Sequence, residues 1–275
     1  MNDYVIRQQT RRAMAFSQVG LGTIAADAVW NAHQIATERR AGMRHEFDWP
    51  DYCLVPINDW RGWLESSAPE KDCARICEMA RHAAGAMAWV QRKAVLVLRE
   101  TTATACQKPG GERARVDPKV LLGMPEYGVF VPSLGRFSPG PWRCHGLIGF
   151  VDERLHAGGN LGPELHLLAL VDLGPGLPEF TTLYSPVSDA LTFRDGQYEM
   201  LNRARLSGAN LFGYCNEPPP AAREVMDANA RLCAFFQRAV AAALGGGWTG
   251  QDRRTLRPSR NGLVTLDHCI ERVFA

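Results

Sequence analysis

Apolar residues recur at a spacing of three and four residues in three segments of the chain, and this period is typical of amphipathic helices. The clearest pattern follows Ser67, whose hydroxyl can accept hydrogen bonds from the first backbone amides of a helix, and it spans residues 68–93. A second spans 220–244 and ends at the glycines of 245–247, and a third spans 23–42. The sequence therefore predicts two long helices, about 68–93 and 220–244, and a further helix near the N-terminus.

Three further predictions concern the chain up to Ser67. Gly20 and Gly22 are expected to separate the helix of 23–42 from a shorter helix that precedes it. The apolar stretch "DYCLVPI" at 51–57 is typical of a short strand. The Trp-rich "DWRGWLESS" that follows is predicted to be a turn or loop.

Runs rich in β-branched residues and leucine predict strands in the middle of the chain. They lie at about 94–99, 126–132, 142–152, 164–173 and 179–185. Short turns rich in glycine and proline join the last four, which favours antiparallel pairing because parallel neighbours need a long crossover. We therefore expect an α+β fold, in which an antiparallel sheet of about 126–185, plus the strand near 94–99, packs with one face against the two long helices.

Composition places the chain among ordinary globular proteins. Its 275 residues are 46% hydrophobic and 22% charged, and we expect a single α+β domain over residues 1–275. The polar stretch 101–124 is interrupted by "PGG" and is predicted to be a mobile surface loop. Residues 248–262 are predicted to form a basic C-terminal segment.

The sequence also indicates the cellular compartment in which we expect the protein. No apolar run approaches the length of about 18 residues that a membrane span needs, and the N-terminus lacks the pattern of a signal peptide. The eight cysteines include no CxxC pair and are expected to be reduced thiols. Arginine outnumbers lysine 27 to four, as in proteins of GC-rich bacteria, although the net charge is only +2. We expect a bacterial protein of the cytoplasm with no membrane partner.

Cys144 and His145 place a thiol beside an imidazole within a predicted strand. Adjacent strand residues point to opposite faces, so the two side chains are not expected to form a catalytic dyad. His166, in the strand that we expect to pair with this one, falls at the far end from Cys144. The sequence therefore favours a buried structural thiol, with Cys215 in a glycine- and proline-flanked loop as the other candidate nucleophile.

No spacing indicates a metal or cofactor site. His156, His166 and Asp172 match no metal-binding motif, and the same-face pair Cys73 and Cys77 is better explained by helix packing. The "GGGWTG" at 245–250 has the glycine spacing of a dinucleotide loop, but it follows a helix rather than a strand. We expect no cofactor and no bound metal.

Two arginine-rich segments are the strongest functional feature of the sequence. One contains Arg253, Arg254, Arg257 and Arg260 near Trp248, and the other contains Arg11 and Arg12 near the N-terminus. Guanidinium groups bind phosphate oxygens, and an aromatic ring can stack on a nucleotide base. These seven residues are the predicted nucleic-acid contacts, with Trp248 as the stacking residue.

The sequence favours a non-catalytic binding or accessory subunit that contacts nucleic acid or a nucleoprotein complex. One alternative is a cysteine-dependent hydrolase or transferase of small molecules, with Cys144 or Cys215 as nucleophile. Another is a protein–protein interaction module that presents Trp60 and Trp63 to a protein partner.

Overall fold

The molecule is a mixed assembly of helices and strands, known from a computed structural model. The residues described are 3–22, 24, 26–43, 49–67, 73–91, 93–107, 118–124, 127–137, 143–155, 161–172, 179–186, 220–245, 250–251 and 271–273. The helices are α1 (Asp3–Gly22), α2 (Ala26–Arg40), α3 (Ile57–Ser67), α4 (Cys73–Val90), α5 (Glu100–Gln107), a 3₁₀ helix (Pro118–Gly123) and α6 (Pro220–Gly245). The strands are β1 (Ala94–Val97), β2 (Gly128–Pro132), β3 (Arg143–Leu155), β4 (Leu161–Asp172), β5 (Glu179–Pro186), β6 (Gly250–Gln251) and β7 (Glu271–Val273).

The seven strands form one sheet in the order β5-β4-β3-β2-β1-β7-β6. Strands β2 to β5 pair antiparallel, as expected from their short connections. The prediction of a wholly antiparallel sheet is wrong, because β1 runs parallel to both β2 and β7. The connection from β1 to β2 contains α5 and the 3₁₀ helix, which gives it the length that a parallel crossover requires.

Helices cover both faces of this sheet, whereas the sequence led us to expect one covered face. Residues of α1 to α4 pack with Val95, Ile148 and Leu168 on the first face. Residues of α5, the 3₁₀ helix and α6 pack with Leu96 and Leu147 on the second face. Strands buried on both sides have apolar residues at consecutive positions, which explains the near-continuous apolar runs of β1 and β4.

The first 67 residues differ most from their predicted structure. Helix α1 has 20 residues and is not short. Residues 51–56 form turns and bends rather than a strand, and helix α3 begins at Ile57 and includes the predicted loop that follows. Its Trp60 and Leu64 are four residues apart and buried, a helical spacing that was hidden by the polar residues around them.

Two other boundaries also differ. Ser67 ends α3 instead of capping α4, and α4 begins at Cys73. The predicted mobile loop 101–124 is not a continuous loop, since 101–107 lie in α5 and 118–123 in the 3₁₀ helix. Residues 108–117 lie outside the described residues. The long C-terminal helix agrees with its prediction within one residue.

Candidate nucleic-acid interface

The structure describes only part of the predicted set of contacts. Arg253, Arg254, Arg257, Arg260 and Trp248 lie outside the described residues, and their roles stay predictions. Arg11 and Arg12 lie on α1, and both are exposed. The site can therefore be built from α1 and from the part of the sheet that α1 crosses.

Helix α1 buries one side and presents the other to solvent. Ile6, Ala13 and Met14 belong to the core of the first sheet face. Arg11 and Arg12 are exposed, as is Tyr4, with 71% of its surface accessible. An exposed aromatic ring thus lies on the same helix as exposed guanidinium groups, a combination used in phosphate binding and base stacking.

The sheet topology adds three arginines to this region. Strands β1 and β2 end, and β3 begins, at one edge of the sheet, because β1 and β2 are parallel and β2 and β3 antiparallel. Arg99 follows β1, Arg136 follows β2, and Arg143 opens β3. Arg99 and Arg143 are exposed, and Arg136 donates from Nη1 to the carbonyl oxygen of Leu98 at 2.9 Å.

These three arginines were missed because they are isolated in the sequence and meet only through strand order. The sequence feature that could have identified these arginines is the position of each of them at the end of a predicted strand. We call Arg11, Arg12, Arg99, Arg136 and Arg143 the arginine edge. Among the described residues, the acidic Glu100, Asp172 and Glu179 lie at the same edge, so the described arginines outnumber the described acids there.

Contacts from Gln9 attach α1 to this edge. Its Oε1 accepts a hydrogen bond from the Leu134 amide at 3.1 Å, and its Nε2 lies 3.4 Å from the Ser133 hydroxyl. Gln9 and Ser133 are both buried. These hydrogen bonds from a buried amide side chain to the turn after β2 fix α1 over the end of β2 and the start of β3.

The turn after β2 holds an unusual backbone conformation. The Arg136 amide donates to the Ser133 carbonyl at 2.9 Å, and the two residues between them have positive φ, 51° at Leu134 and 76° at Gly135. Glycine adopts such values freely, but leucine does so only at a cost of about 1–3 kcal/mol. Strain of this kind is concentrated at functional sites, which makes the neighbourhood of Ser133 a candidate.

Arg12, His145 and Asp172 make up what we call the edge centre. The Nη1 of Arg12 lies 3.1 Å from Nδ1 and 3.0 Å from Nε2 of His145. The same Nε2 lies 2.9 Å from Oδ1 of Asp172. His145 has only 1% of its surface exposed, whereas the Asp172 side chain is 36% exposed. The centre therefore joins a buried imidazole to two groups that reach solvent.

A β-bulge places His145 in this position. Cys144 pairs with Val171 and Gly146 with Leu170, so His145 is an extra residue on β3. The Cys144 side chain packs into the core of the second sheet face, away from α1. His166 pairs with Phe150 and is therefore far along the strand from Cys144, as the register argument predicts.

Burial disfavours a nucleophilic role for Cys144, the candidate that the structure describes. Cys144 is 3% exposed, and burial raises its pKa to about 12. Thiols attack as thiolates, and a raised pKa lowers the thiolate fraction at neutral pH. The other candidate, Cys215, lies outside the described residues.

A second polar group, which we call the buried cluster, lies at the other end of β3 and β4 and consists of Cys53, Asp152, Glu164 and His166. All four are at most 3% exposed. Oδ1 of Asp152 accepts hydrogen bonds from the Ile57 amide at 3.1 Å and the Cys53 thiol at 3.4 Å. Nε2 of His166 lies 3.3 Å from Oε2 of Glu164.

These contacts assign the buried cluster a structural role. The Asp152 carboxylate caps the first turn of α3, and His166 stacks on Phe150 with ring centroids 5.3 Å apart. Within the described ranges, no group of three or more His, Cys, Asp or Glu side chains is arranged to hold a metal ion. His156 lies outside the residues whose side chains are described.

The tryptophans proposed as a protein interface are not arranged for one. Trp60 is fully buried, and Trp63 is half-buried and packs edge-on against it with ring centroids 5.3 Å apart. The exposed tryptophan of the first face is instead Trp30 on α2, with 69% of its surface accessible. Among the described helices, none is long and apolar enough to cross a membrane.

The fold resembles that of a solved structure whose sequence is very different. The crystal structure of AcrVA2 superposes with a TM-score of 0.54 over 97% of this chain and 83% of that chain. The two sequences are 13% identical, so the likeness shows the mixed α/β fold alone. No protein-family model matches the chain, and no curated protein matches it with significance.

Proposed function

We propose that the protein is a non-catalytic accessory subunit of the bacterial cytoplasm that binds nucleic acid, or a nucleoprotein complex, through its phosphates. The observation that carries the proposal is the arginine edge, where strand order brings arginines from four parts of the chain to one end of the sheet, with the exposed Tyr4 on the same helix as Arg11 and Arg12. Each guanidinium can neutralise a phosphate and release its counterions. The arginines of 253–260 and Trp248 are further proposed contacts on sequence grounds alone. Strand β6 runs away from the arginine edge, because it pairs antiparallel with β7 and β7 pairs parallel with β1.

The buried thiols among the described cysteines do not favour covalent catalysis. Burial raises the pKa of Cys144 and Cys233 to about 12, and it raises that of Cys53 well above its usual value. Thiols in this state are core residues. The proposal therefore assigns the arginines a binding role and assigns these buried cysteines none in chemistry.

Fluorescence anisotropy tests the proposal with fluorescein-labelled single-stranded RNA and duplex DNA, each titrated at low and at physiological salt. We expect affinity to fall steeply with salt. The double variant Arg11→Ala/Arg143→Ala should bind at least about tenfold more weakly, and its log–log salt slope on duplex DNA should decrease by about 0.9 for each phosphate that is no longer neutralised.

Arg61→Ala is the matched control. Arg61 is exposed on α3, at the opposite end of β3, and its Nε lies 2.6 Å from Oε1 of Glu65. This variant removes one exposed guanidinium and should bind as the wild type does. A fourfold alanine variant of Arg253, Arg254, Arg257 and Arg260 measures the contribution of the C-terminal segment. Absence of binding at low salt would overturn the proposal. The exposed Trp30 would then be tested as a contact for a protein partner.

A further inference from the structure

One side of the Arg12 guanidinium is held by contacts with the protein, and its other side is open to solvent. Nη1 is held within 3.1 Å of both ring nitrogens of His145. Among the residues that the structure describes, no other group contacts this guanidinium, and Arg12 is exposed. A guanidinium has five N–H donors in a planar fork, so the donors of Nε and Nη2 remain available to a ligand.

Two charged residues contact the His145 ring. The Asp172 carboxylate accepts at Nε2, and Nη1 of Arg12 lies within 3.1 Å of both ring nitrogens. The imidazole thus lies between a carboxylate and a guanidinium. An imidazole in this arrangement is suited to hold Arg12 in place.

The backbone beneath the ring is equally fixed. The Ser133 amide donates to the His145 carbonyl at 3.1 Å, and the Ser133 hydroxyl donates to the Cys144 carbonyl. The bulge at His145 and the strained turn at Leu134 are thus joined by hydrogen bonds. Bulges commonly redirect one side chain next to a functional site, and here the redirected side chain is His145.

We infer that Arg12 is an oriented phosphate ligand within the arginine edge and that His145 and Asp172 are its positioning residues. This inference rests on the proposed function, since the phosphate is that of the bound nucleic acid. The open side of the fork matches two oxygens of one phosphodiester, a geometry that the point charge of lysine cannot reproduce. Arg11, Arg99 and Arg143 are exposed without such support and would act as mobile charges.

Charge-conserving variants test the inference with labelled single-stranded RNA at low salt. Arg12→Lys should weaken binding by about tenfold, since the charge remains but the planar fork that binds two oxygens is removed. Arg11→Lys should weaken it by about twofold or less because only a mobile charge is altered. Arg61→Lys, distant from the edge, should leave the affinity unchanged.

A double-mutant cycle separates positioning from general structure. His145→Phe should weaken binding as much as Arg12→Lys does, and the double variant should be no weaker than either single variant. His145→Asn, whose amide retains one donor and one acceptor, should recover part of the affinity. Thermal melting of each variant confirms that it is folded at the assay temperature, and Asp172→Asn at its half-exposed position repeats the test if His145→Phe is unfolded.

The outcomes distinguish this inference from the proposed function. If the wild type binds RNA but Arg12→Lys and Arg11→Lys weaken it equally, the positioning role is wrong and the proposed function stands. Additive effects in the cycle lead to the same conclusion. If the wild type binds no RNA or DNA at low salt, both proposals are wrong.

Discussion

The edge centre and the buried cluster lie at opposite ends of the same pair of strands, and each contains a histidine and a carboxylate. In the edge centre, Asp172 is 36% exposed and Arg12 reaches solvent. In the buried cluster, Asp152 and Glu164 are each 3% exposed. Similar residue types therefore leave a guanidinium open to solvent at one end and brace a helix at the other, because access to solvent differs.

Burial also affects the charged groups of the buried cluster and the edge centre differently. Desolvation raises the pKa of Asp152, while the nearby His166 and the Ile57 amide act in the opposite direction. Two carboxylates and one imidazole share the buried cluster, so its acids are crowded. The edge centre joins one carboxylate and one guanidinium, both of which reach solvent, through the His145 ring.

The largest expected effect concerns thiol reactivity in the two regions. Cys144 lies beside the edge centre with a pKa of about 12, Cys53 lies in the buried cluster, and Cys73 is exposed on α4. The ordinary pKa of a cysteine is about 9, so the thiolate fraction of Cys144 is lower by roughly a thousandfold. Alkylation with iodoacetamide at neutral pH, followed by peptide mass spectrometry, should label Cys73 first, Cys144 more slowly by about that factor, and Cys53 also more slowly than Cys73 because burial raises its pKa. Fast labelling of Cys144 would contradict the expected difference between buried and exposed thiols. It would favour the alternative of a cysteine-dependent hydrolase or transferase.

Stability should respond to the two aspartates very differently. Asp152→Ala removes the cap of α3 and the acceptor of the Cys53 thiol, and should lower the free energy of unfolding by about 3 kcal/mol. Asp172→Ala is the matched variant, and water can replace its half-exposed carboxylate, so we expect a decrease of about 1 kcal/mol or less. Urea unfolding measures both. Equal decreases would show that the edge centre is as structural as the buried cluster.

The smallest expected effect is the pH dependence of stability that arises from Asp152 in the buried cluster. A carboxyl whose pKa is raised on folding adds stability that is complete below its unfolded pKa, about 3.9, and is lost as the pH rises through the folded value. Asp152→Asn does not titrate and keeps an acceptor for the Ile57 amide. Its stability relative to the wild type should therefore increase between about pH 4 and pH 7 in urea unfolding. A constant difference across this range would contradict the assignment.

Sequence patterns predicted the elements whose period is regular. Strands β3 and β4 and helix α6 lie close to their predicted positions, because long runs of one period leave little ambiguity. Helix α3 was missed since Trp60 and Leu64 stand among polar residues, and the parallel pairing of β1 was missed because α5 was interpreted as a loop. Pairing direction depends on the crossover, which short apolar runs do not reveal.

The candidate site was harder to predict than the fold. Arg11 and Arg12 stood out as a cluster, but Arg99, Arg136 and Arg143 join them only through strand order. The argument that neighbouring strand residues face apart assumed a regular strand at His145. A one-residue bulge changes which face a side chain reaches, and no residue type near Cys144 indicates that a bulge is present.

The position of β1 has a consequence for synthesis on the ribosome. Val95 pairs with Phe130 on one side and with Glu271 on the other, so the strand gains its second neighbour only when residues 271–273 have been made. At about 5–20 residues per second, that wait is on the order of 10 s. During this interval one edge of an apolar strand is open to other nascent chains, and a chaperone that shields residues 94–97 would raise the yield of folded protein.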